Sequence, residues 1–99
     1  MAEISRNETL AVSTASVQLA QDREGHGGRK LITIRNISPN AIDTVTVAFS
    51  KNVAVANNGV VLRQNESLTD ANDGTYICWQ NEIQIICATI NGLVAIFER

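Results

Sequence analysis

The residues of this chain that could take part in catalysis are few and widely spaced. His26 is the only histidine, and no cysteine or run of carboxylates lies close to it in the sequence. Catalytic triads assemble across a fold, so a base at His26 is left open, yet a solvated loop histidine is the simpler interpretation. From residue types and spacing we therefore expect no enzymatic activity.

Two further segments contain residue types that bind phosphate or calcium in other settings. Gly25, Gly27 and Gly28 are followed neither by the lysine and serine of a phosphate-binding loop nor by a helix start. The segment DANDG at 70–74 is rich in side-chain oxygens, but it lacks the spacing of an EF-hand loop and its bidentate glutamate. We predict a turn built from Asx residues there, and we expect neither a metal nor a cofactor.

The two cysteines and the single tryptophan lie in apolar stretches of the C-terminal quarter. Cys78 and Cys87 lack the spacing of zinc ligands. We predict two buried, reduced thiols, with a cross-strand disulfide as the alternative. Trp79, close to Tyr76, could serve as a stacking platform for a glycan. Because aromatic residues make up only 4% of the chain, packing in the core or at a subunit interface is the favoured role.

Size and charge limit the class of protein. A chain of 99 residues suffices for one domain of two layers. The net charge of -2 gives no broad positive field, which disfavours sequence-independent nucleic-acid binding. No apolar stretch approaches the roughly 20 residues of a membrane span, and charged residues stand where a signal peptide would need its apolar region. We expect a soluble protein made in the cytosol, with no nucleic-acid, membrane or small-molecule partner.

The distribution of β-branched residues predicts an all-β fold. In the segment DTVTVAFS at 43–50, Val45, Val47 and Phe49 alternate with smaller residues, which predicts a strand with one face toward a core and the other toward water. Turn signals recur at short intervals, as in a sandwich or barrel. We predict a single-domain antiparallel β-sandwich, jelly-roll or Greek-key, of about eight strands over residues 9–99, after a polar N-terminal arm, 1–8.

Strands are assigned from alternating apolar residues and the turns between them. Asn91-Gly92 predicts a two-residue hairpin that pairs the last two strands and sets Ile86 opposite Phe97. Both faces of these strands are apolar, so we expect one face to contact the core and the other to contact another subunit. The segments 60–63 and 66–69 are left open as one broken element. The predicted strands cover residues 9–13, 16–20, 29–36, 43–50, 60–63, 66–69, 75–80, 83–90 and 93–98.

Four segments together carry a family resemblance. They are RKLITIRNIS at 29–38, the turn at Asn58-Gly59-Val60, the turn at Glu66-Ser67-Leu68, and CWQNEI at 78–83. With the strands around them they resemble the small β-sandwich virion proteins of tailed bacteriophages, over most of residues 9–98. Asn81 departs from the pattern, because many of those proteins have glycine before the Glu-Ile or Ala-Ile of this segment.

The resemblance implies a virion component: a head decoration or cement protein that binds the major capsid protein on the outer head surface as a homotrimer, after synthesis in the host cytoplasm. The alternative is a receptor- or glycan-binding module of a tail or fibre. A cupin-like enzyme is disfavoured, because the histidine and acidic cluster of a metal site is missing. The arm and the glycine loop 21–28 are the expected neighbour-clasping elements. The interface candidates are Ala2, Glu3, Ile4, Arg6, His26, Arg29, Trp79, Ile86 and Phe97.

Overall fold

Eight β-strands form the regular structure of the protein, a computed structural model of which describes residues 6–23 and 28–99. They are β1 (Arg6–Val12), β2 (Val17–Ala20), β3 (Leu31–Asn36), β4 (Val45–Ala48), β5 (Val60–Leu62), β6 (Ser67–Ala71), β7 (Ile83–Cys87) and β8 (Gly92–Glu98). Because β1 begins at Arg6, residues 6–8 of the predicted arm belong to a sheet. β5 and β6 are separate strands.

The strands form two four-stranded sheets whose order identifies the fold. Sheet A has the order β1-β8-β3-β6, and sheet B has the order β2-β7-β4-β5. All neighbouring strands are antiparallel. The first strand pairs with the last, the second with the seventh, the third with the sixth and the fourth with the fifth, as in a long hairpin that has been rolled up. This is the arrangement of an eight-stranded jelly roll, and it confirms the predicted antiparallel sandwich.

The core lies between the sheets and is built from alternate positions of the strands. In β3 and β4, Ile32, Ile34, Val45 and Val47 are fully buried, as the period of two in these segments indicates. The buried cluster consists of Val12, Leu19, Ala20, Ile32, Ile34, Val45, Val47, Leu62, Ile83, Ile85, Cys87, Val94 and Ile96.

The prediction that one face of β4 meets water is wrong, because the loop 49–59 lies across the outer face of sheet B. Asn57 donates its backbone N–H to Thr46 Oγ1 at 3.0 Å, and Ala54 donates its N–H to Ser16 Oγ at 2.7 Å. Thr46 is therefore buried although it points away from the core. The strand also ends at Ala48, so Phe49 belongs to this loop.

The predicted hairpin at Asn91-Gly92 is wrong. β7 lies in sheet B between β2 and β4, whereas β8 lies in sheet A between β1 and β3. Ile86 pairs with Thr46, and Phe97 pairs with Thr33. A tight-turn signal specifies local backbone geometry and not the sheet that the following strand joins, so here the turn carries the chain from one sheet to the other.

No strand forms at residues 75–80, because side chains bind the backbone of this segment where a neighbouring strand would have to. Asp73 Oδ1 accepts the N–H groups of Thr75 at 3.2 Å and Tyr76 at 2.8 Å, which confirms the predicted Asx turn. These hydrogen bonds from Tyr76 and Thr75 lower the pKa of Asp73. Asn72 Oδ1 accepts the N–H of Cys78 at 2.9 Å.

A buried asparagine joins the two sheets where β3 ends. Asn36 donates from Nδ2 to the carbonyl oxygens of Asp43 at 2.8 Å and of Leu62 in β5 at 3.0 Å. Its Oδ1 accepts the N–H of Ser38 at 3.0 Å, and Ser38 Oγ accepts the N–H of Leu93 at 2.9 Å. Buried amides need such partners, so the asparagine and serine of the RKLITIRNIS segment have a structural role.

Candidate functional site

The predicted interface residues that the structure describes do not form one surface. Ala2, Glu3, Ile4 and His26 lie outside the described residues. Ile86 and Phe97 alternate with buried core residues in β7 and β8, so they lie on the opposite outer faces of the sandwich. The structure brings together Arg6, Arg29 and Trp79, through one buried cluster near the end of β8.

The centre of this cluster is Glu98, whose side chain is fully buried. Arg29 donates from Nε to Glu98 Oε2 at 2.6 Å. Arg23 donates from Nε to Oε2 at 3.1 Å and from Nη2 to Oε1 at 2.9 Å. Arg6 Nη1 lies 3.5 Å from Oε1. One carboxylate thus holds three arginines from the first third of the chain.

The charge of Glu98 is stabilised by these partners. Burial alone would raise the pKa of the carboxyl group, but the hydrogen bonds from Arg23 and Arg29 outweigh that effect and lower the pKa of Glu98 below its usual value. The same contact raises the pKa of Arg23. The cluster therefore holds an ionised carboxylate in the interior.

The prediction that Arg29 lies at an interface is wrong, because Arg29 is 1% exposed. Its Nη1 donates to the carbonyl oxygen of Trp79, and its Nη2 donates to that of Gln21 at 2.9 Å. The side chain of Gln80 in turn bonds both the N–H and the carbonyl oxygen of Arg29. Arg29 therefore fixes the loop 72–82 to the sandwich from the inside.

Arg6 is half-buried at the start of β1. Besides its contact with Glu98, its Nη1 donates to the carbonyl oxygen of Leu19 in sheet B at 2.7 Å, and its Nε pairs with Glu8. The arginine therefore connects the edges of the two sheets. Since most of it is covered, its role within the described residues is internal.

Both cysteines are buried and free, as predicted. Cys78 Sγ donates to the carbonyl oxygen of Arg29 at 3.1 Å. Burial, together with the nearby charge of Asp70, raises the pKa of the Cys78 thiol, which keeps it a neutral donor. Cys78 thus adds a further contact between the loop 72–82 and Arg29.

The same loop forms one wall of an aromatic cleft that sequence reasoning missed. The cleft lies between the edge strands β5 and β6 and has a volume of about 320 Å³. Phe49 and Trp79 meet edge to face, with ring centroids 6.2 Å apart and planes at 76°. The cleft is lined by Phe49, Val60, Leu68, Asp70, Tyr76 and Trp79. Three of the four aromatic residues of the chain therefore converge on one place.

Asp70 organises this aromatic cleft. Its Oδ1 accepts the phenol O–H of Tyr76 at 2.7 Å, and its Oδ2 accepts the backbone N–H of Trp79 at 2.8 Å. The hydrogen bond to Asp70 raises the pKa of Tyr76. Trp79 Nε1 donates to the carbonyl oxygen of Glu82 at 2.9 Å. The rings are thus held in place by a carboxylate and by the loop backbone.

The outer face of sheet A is a second candidate surface. Phe97 is 40% exposed at its centre, because β8 lies between β1 and β3. An outer face of an antiparallel sheet normally carries charged groups; of the eight residues in the two central rows five are polar and only Arg35 is charged. The rows are Asn7, Phe97, Thr33 and Thr69, then Thr9, Ala95, Arg35 and Ser67.

Comparisons of the chain with protein-family models, with curated proteins and with solved structures found no match. Across residues 6–23 and 28–99, no group of three or more histidine, cysteine, aspartate or glutamate side chains is arranged to hold a metal ion. In that same part of the chain no helix is long and apolar enough to cross a membrane. The described residues form a small jelly-roll domain with an aromatic cleft at one edge and an outer sheet face that is poor in charge.

Proposed function

We propose that this protein is a non-enzymatic structural component of a phage particle, a decoration protein that binds the major capsid protein on the outer head surface as a homotrimer. The resemblance of the segments 29–38 and 78–83 to phage virion proteins supports the class. Jelly rolls are common in capsid proteins, although the fold serves other functions too.

The observation that carries the proposal is the outer face of sheet A. Its two central rows consist mainly of small residues, are poor in charge and include the exposed ring of Phe97. Aromatic residues are enriched and charged residues depleted at the centres of subunit contacts. The loop 49–59 of the same chain already covers part of the outer face of sheet B, around Thr46, so the two faces differ in what they offer a neighbour. Trimerisation would multiply modest contacts with a repeating capsid lattice.

Purified protein is expected to add stoichiometrically to expanded capsids that lack it, to raise their melting temperature, and to have the mass of a trimer in solution. Phe97→Lys is expected to reduce the mass to that of a monomer and to weaken capsid binding by tenfold or more, because it sets a charge at the centre of a desolvated contact, at a cost of about 2 kcal/mol. Sedimentation of capsids with labelled protein would measure the binding.

The matched control for Phe97→Lys is Gln18→Lys, which adds the same charge to an exposed position on the outer face of sheet B. It is expected to leave both mass and capsid binding unchanged. Failure of the unmodified protein to bind any capsid would contradict the decoration function. Equal capsid binding by Phe97→Lys and Gln18→Lys would show that the outer face of sheet A is not part of the contact.

A receptor- or glycan-binding module of a tail or fibre is the second candidate, and the aromatic cleft favours it. Glycan-binding sites use aromatic rings as stacking surfaces, and Tyr76 is 50% exposed. On a glycan array the unmodified protein would then bind a defined set of sugars, and Trp79→Ala would abolish that binding. Because Trp79 also packs against the core, Tyr76→Ala is the companion variant. Binding that survives in both variants would contradict this candidate.

A further inference from the structure

The chemistry that remains available inside the aromatic cleft points to one class of ligand. Phe49 and Trp79 form a corner of the cleft, since their planes are near perpendicular, and Tyr76 lies at its exposed side. Ring faces attract cations through their negative quadrupole. Among the described residues that line the cleft, Asp70 is the only aspartate, glutamate, lysine or arginine, so the formal charge of the lining is negative.

The phenol and indole donors of the lining are already engaged. Tyr76 donates its O–H to Asp70, and Trp79 donates Nε1–H to Glu82. The hydroxyl of Thr69, which also contributes to the lining, lies 3.0 Å from that of Thr33 on the outer face of sheet A. A sugar needs donors as well as acceptors for its hydroxyl groups, and an anion needs donors alone, so the engaged donors disfavour both.

The Asp70 carboxylate, by contrast, still has hydrogen-bond acceptor sites to offer a ligand. An ionised carboxylate has about four lone-pair sites, and Asp70 uses two of them for Tyr76 and Trp79. Asp70 is half-buried, so its charge is partly shielded from water and yet reachable from the cleft. A ligand that fits this lining carries a positive charge, presents apolar groups to the rings and requires no hydrogen-bond donor from the protein.

We propose that the cleft bounded by Phe49, Tyr76, Trp79 and Asp70 binds an alkylated ammonium group, such as the trimethylammonium group of choline. The methyl groups would contact the three rings, and the charge would face the Asp70 carboxylate. A volume of about 320 Å³ accommodates such a group with part of its substituent. The site does not depend on capsid binding, and it concerns a surface on the edge of the sandwich rather than the outer face of sheet A.

The test compares choline with its uncharged carbon isostere, 3,3-dimethylbutan-1-ol, by titration of the unmodified protein. Trp79 is the only tryptophan, so its fluorescence reports binding next to its ring, and the variants described below assign that binding to the aromatic cleft. Choline is expected to give a saturable change with a dissociation constant in the millimolar range or below, and the isostere to bind about tenfold or more weakly. Equal binding of the two compounds, or no saturable change with choline, would overturn the proposal.

Two variants test the residue assignment. Asp70→Asn is expected to weaken choline binding by about fivefold or more, because it removes the charge; its single amide oxygen keeps the acceptor for the Trp79 N–H, and the acceptor for the Tyr76 O–H is lost. Glu82→Gln is the matched control: its carboxylate lies in the neighbouring cleft on the other side of the Phe49 and Trp79 pair, and it is expected to leave choline binding unchanged. Equal effects of the two variants would mean that only overall charge matters and would overturn the assignment.

Titration with methyl glycosides separates this proposal from the glycan candidate. Saturable binding of a glycoside that choline cannot displace would overturn the ammonium assignment. If no glycoside displaces choline, and choline still binds more tightly than its uncharged isostere, the ammonium assignment is supported. Because the isostere comparison uses only the unmodified protein, the proposal stays falsifiable even if Asp70→Asn fails to fold.

Discussion

Glu98→Gln is expected to lower the free energy of unfolding by about 3 to 5 kcal/mol, the cost of removing one partner from a buried ion pair. The amide keeps the shape and one acceptor of the carboxylate but removes its charge. Arg29 is then left buried without an anion, and Arg23 and Arg6 lose a shared partner. Urea unfolding followed by Trp79 fluorescence, at neutral pH, would measure the change.

The matched control is Glu8→Gln. It makes the same chemical change in another glutamate that pairs with Arg6, but the Glu8 side chain is 55% exposed. Exposed pairs contribute roughly 0 to 1 kcal/mol, so this variant is expected to unfold almost as the unmodified protein does. A Glu98→Gln protein as stable as Glu8→Gln would show that the buried cluster contributes little net stability.

The pH dependence of stability provides a second test of Glu98, through comparison of the unmodified protein with Glu98→Gln. The pKa of Glu98 is lowered on folding, so its contribution is fully present above the pKa of an unfolded glutamate, about 4.3. That contribution is lost as the pH falls from there through the lower folded value. Between pH 5 and 3, the unmodified protein is therefore expected to lose more stability than Glu98→Gln. Parallel pH profiles would contradict this assignment.

Gly92→Ala is expected to destabilise the protein by about 3 kcal/mol, the upper end of the usual cost of overpacking. A Cβ atom at position 92 would lie 2.6 Å from the carbonyl oxygen of Val12 and 2.7 Å from Cys87 Sγ. Val12 is the partner of Gly92 in β1, and a backbone oxygen cannot rotate away. The neighbouring strands β1 and β8 would have to separate locally. Thermal and urea unfolding would give the change in free energy.

Gly74→Ala separates this close approach from the general effect of replacing glycine. Gly74 has a φ of +95°, and no atom lies within 4 Å of the position that an alanine methyl group would occupy there. Its substitution therefore costs backbone strain of about 1 to 2 kcal/mol and no overlap. Gly92→Ala is expected to be the more damaging of the two. A larger loss of stability in Gly74→Ala than in Gly92→Ala would mean that β1 and β8 move apart at little cost in free energy.

Much of the fold could be predicted because the strands follow local rules. Alternation in β3 and β4 correctly indicates the buried positions Ile34 and Val47, and all eight observed strands overlap predicted ones. Turns at asparagine are also readable: Asn57 and Asn65 adopt φ of 63° and 66°, which few other side chains tolerate. These features depend on residues close together in the chain.

The sheet order and the candidate site could not be predicted, because they depend on residues far apart. The turn signal at Asn91-Gly92 does not indicate that β7 and β8 belong to different sheets. The segment 75–80 has the composition of a strand, but the side chains of the neighbouring Asn72 and Asp73 bind its backbone locally, and Arg29, 50 residues away from Trp79, binds it from a distant part of the chain. One signal was present in the sequence: Glu98 follows Val94 and Ile96 at inward positions, and a charge on an inward face implies a buried partner.

The place of β8 in the middle of sheet A has a consequence for synthesis of the protein. Arg23 and Glu98 are 75 residues apart in the chain, and β8 must insert between β1 and β3. Neither sheet A nor its carboxylate centre can form before residue 98 has left the ribosome. Until β8 is available, Ile32 and Ile34 of β3 lack their partner strand on one side, so the closure of sheet A is a late step that depends on contacts between distant parts of the chain, and association with other unfinished chains is a direct competitor.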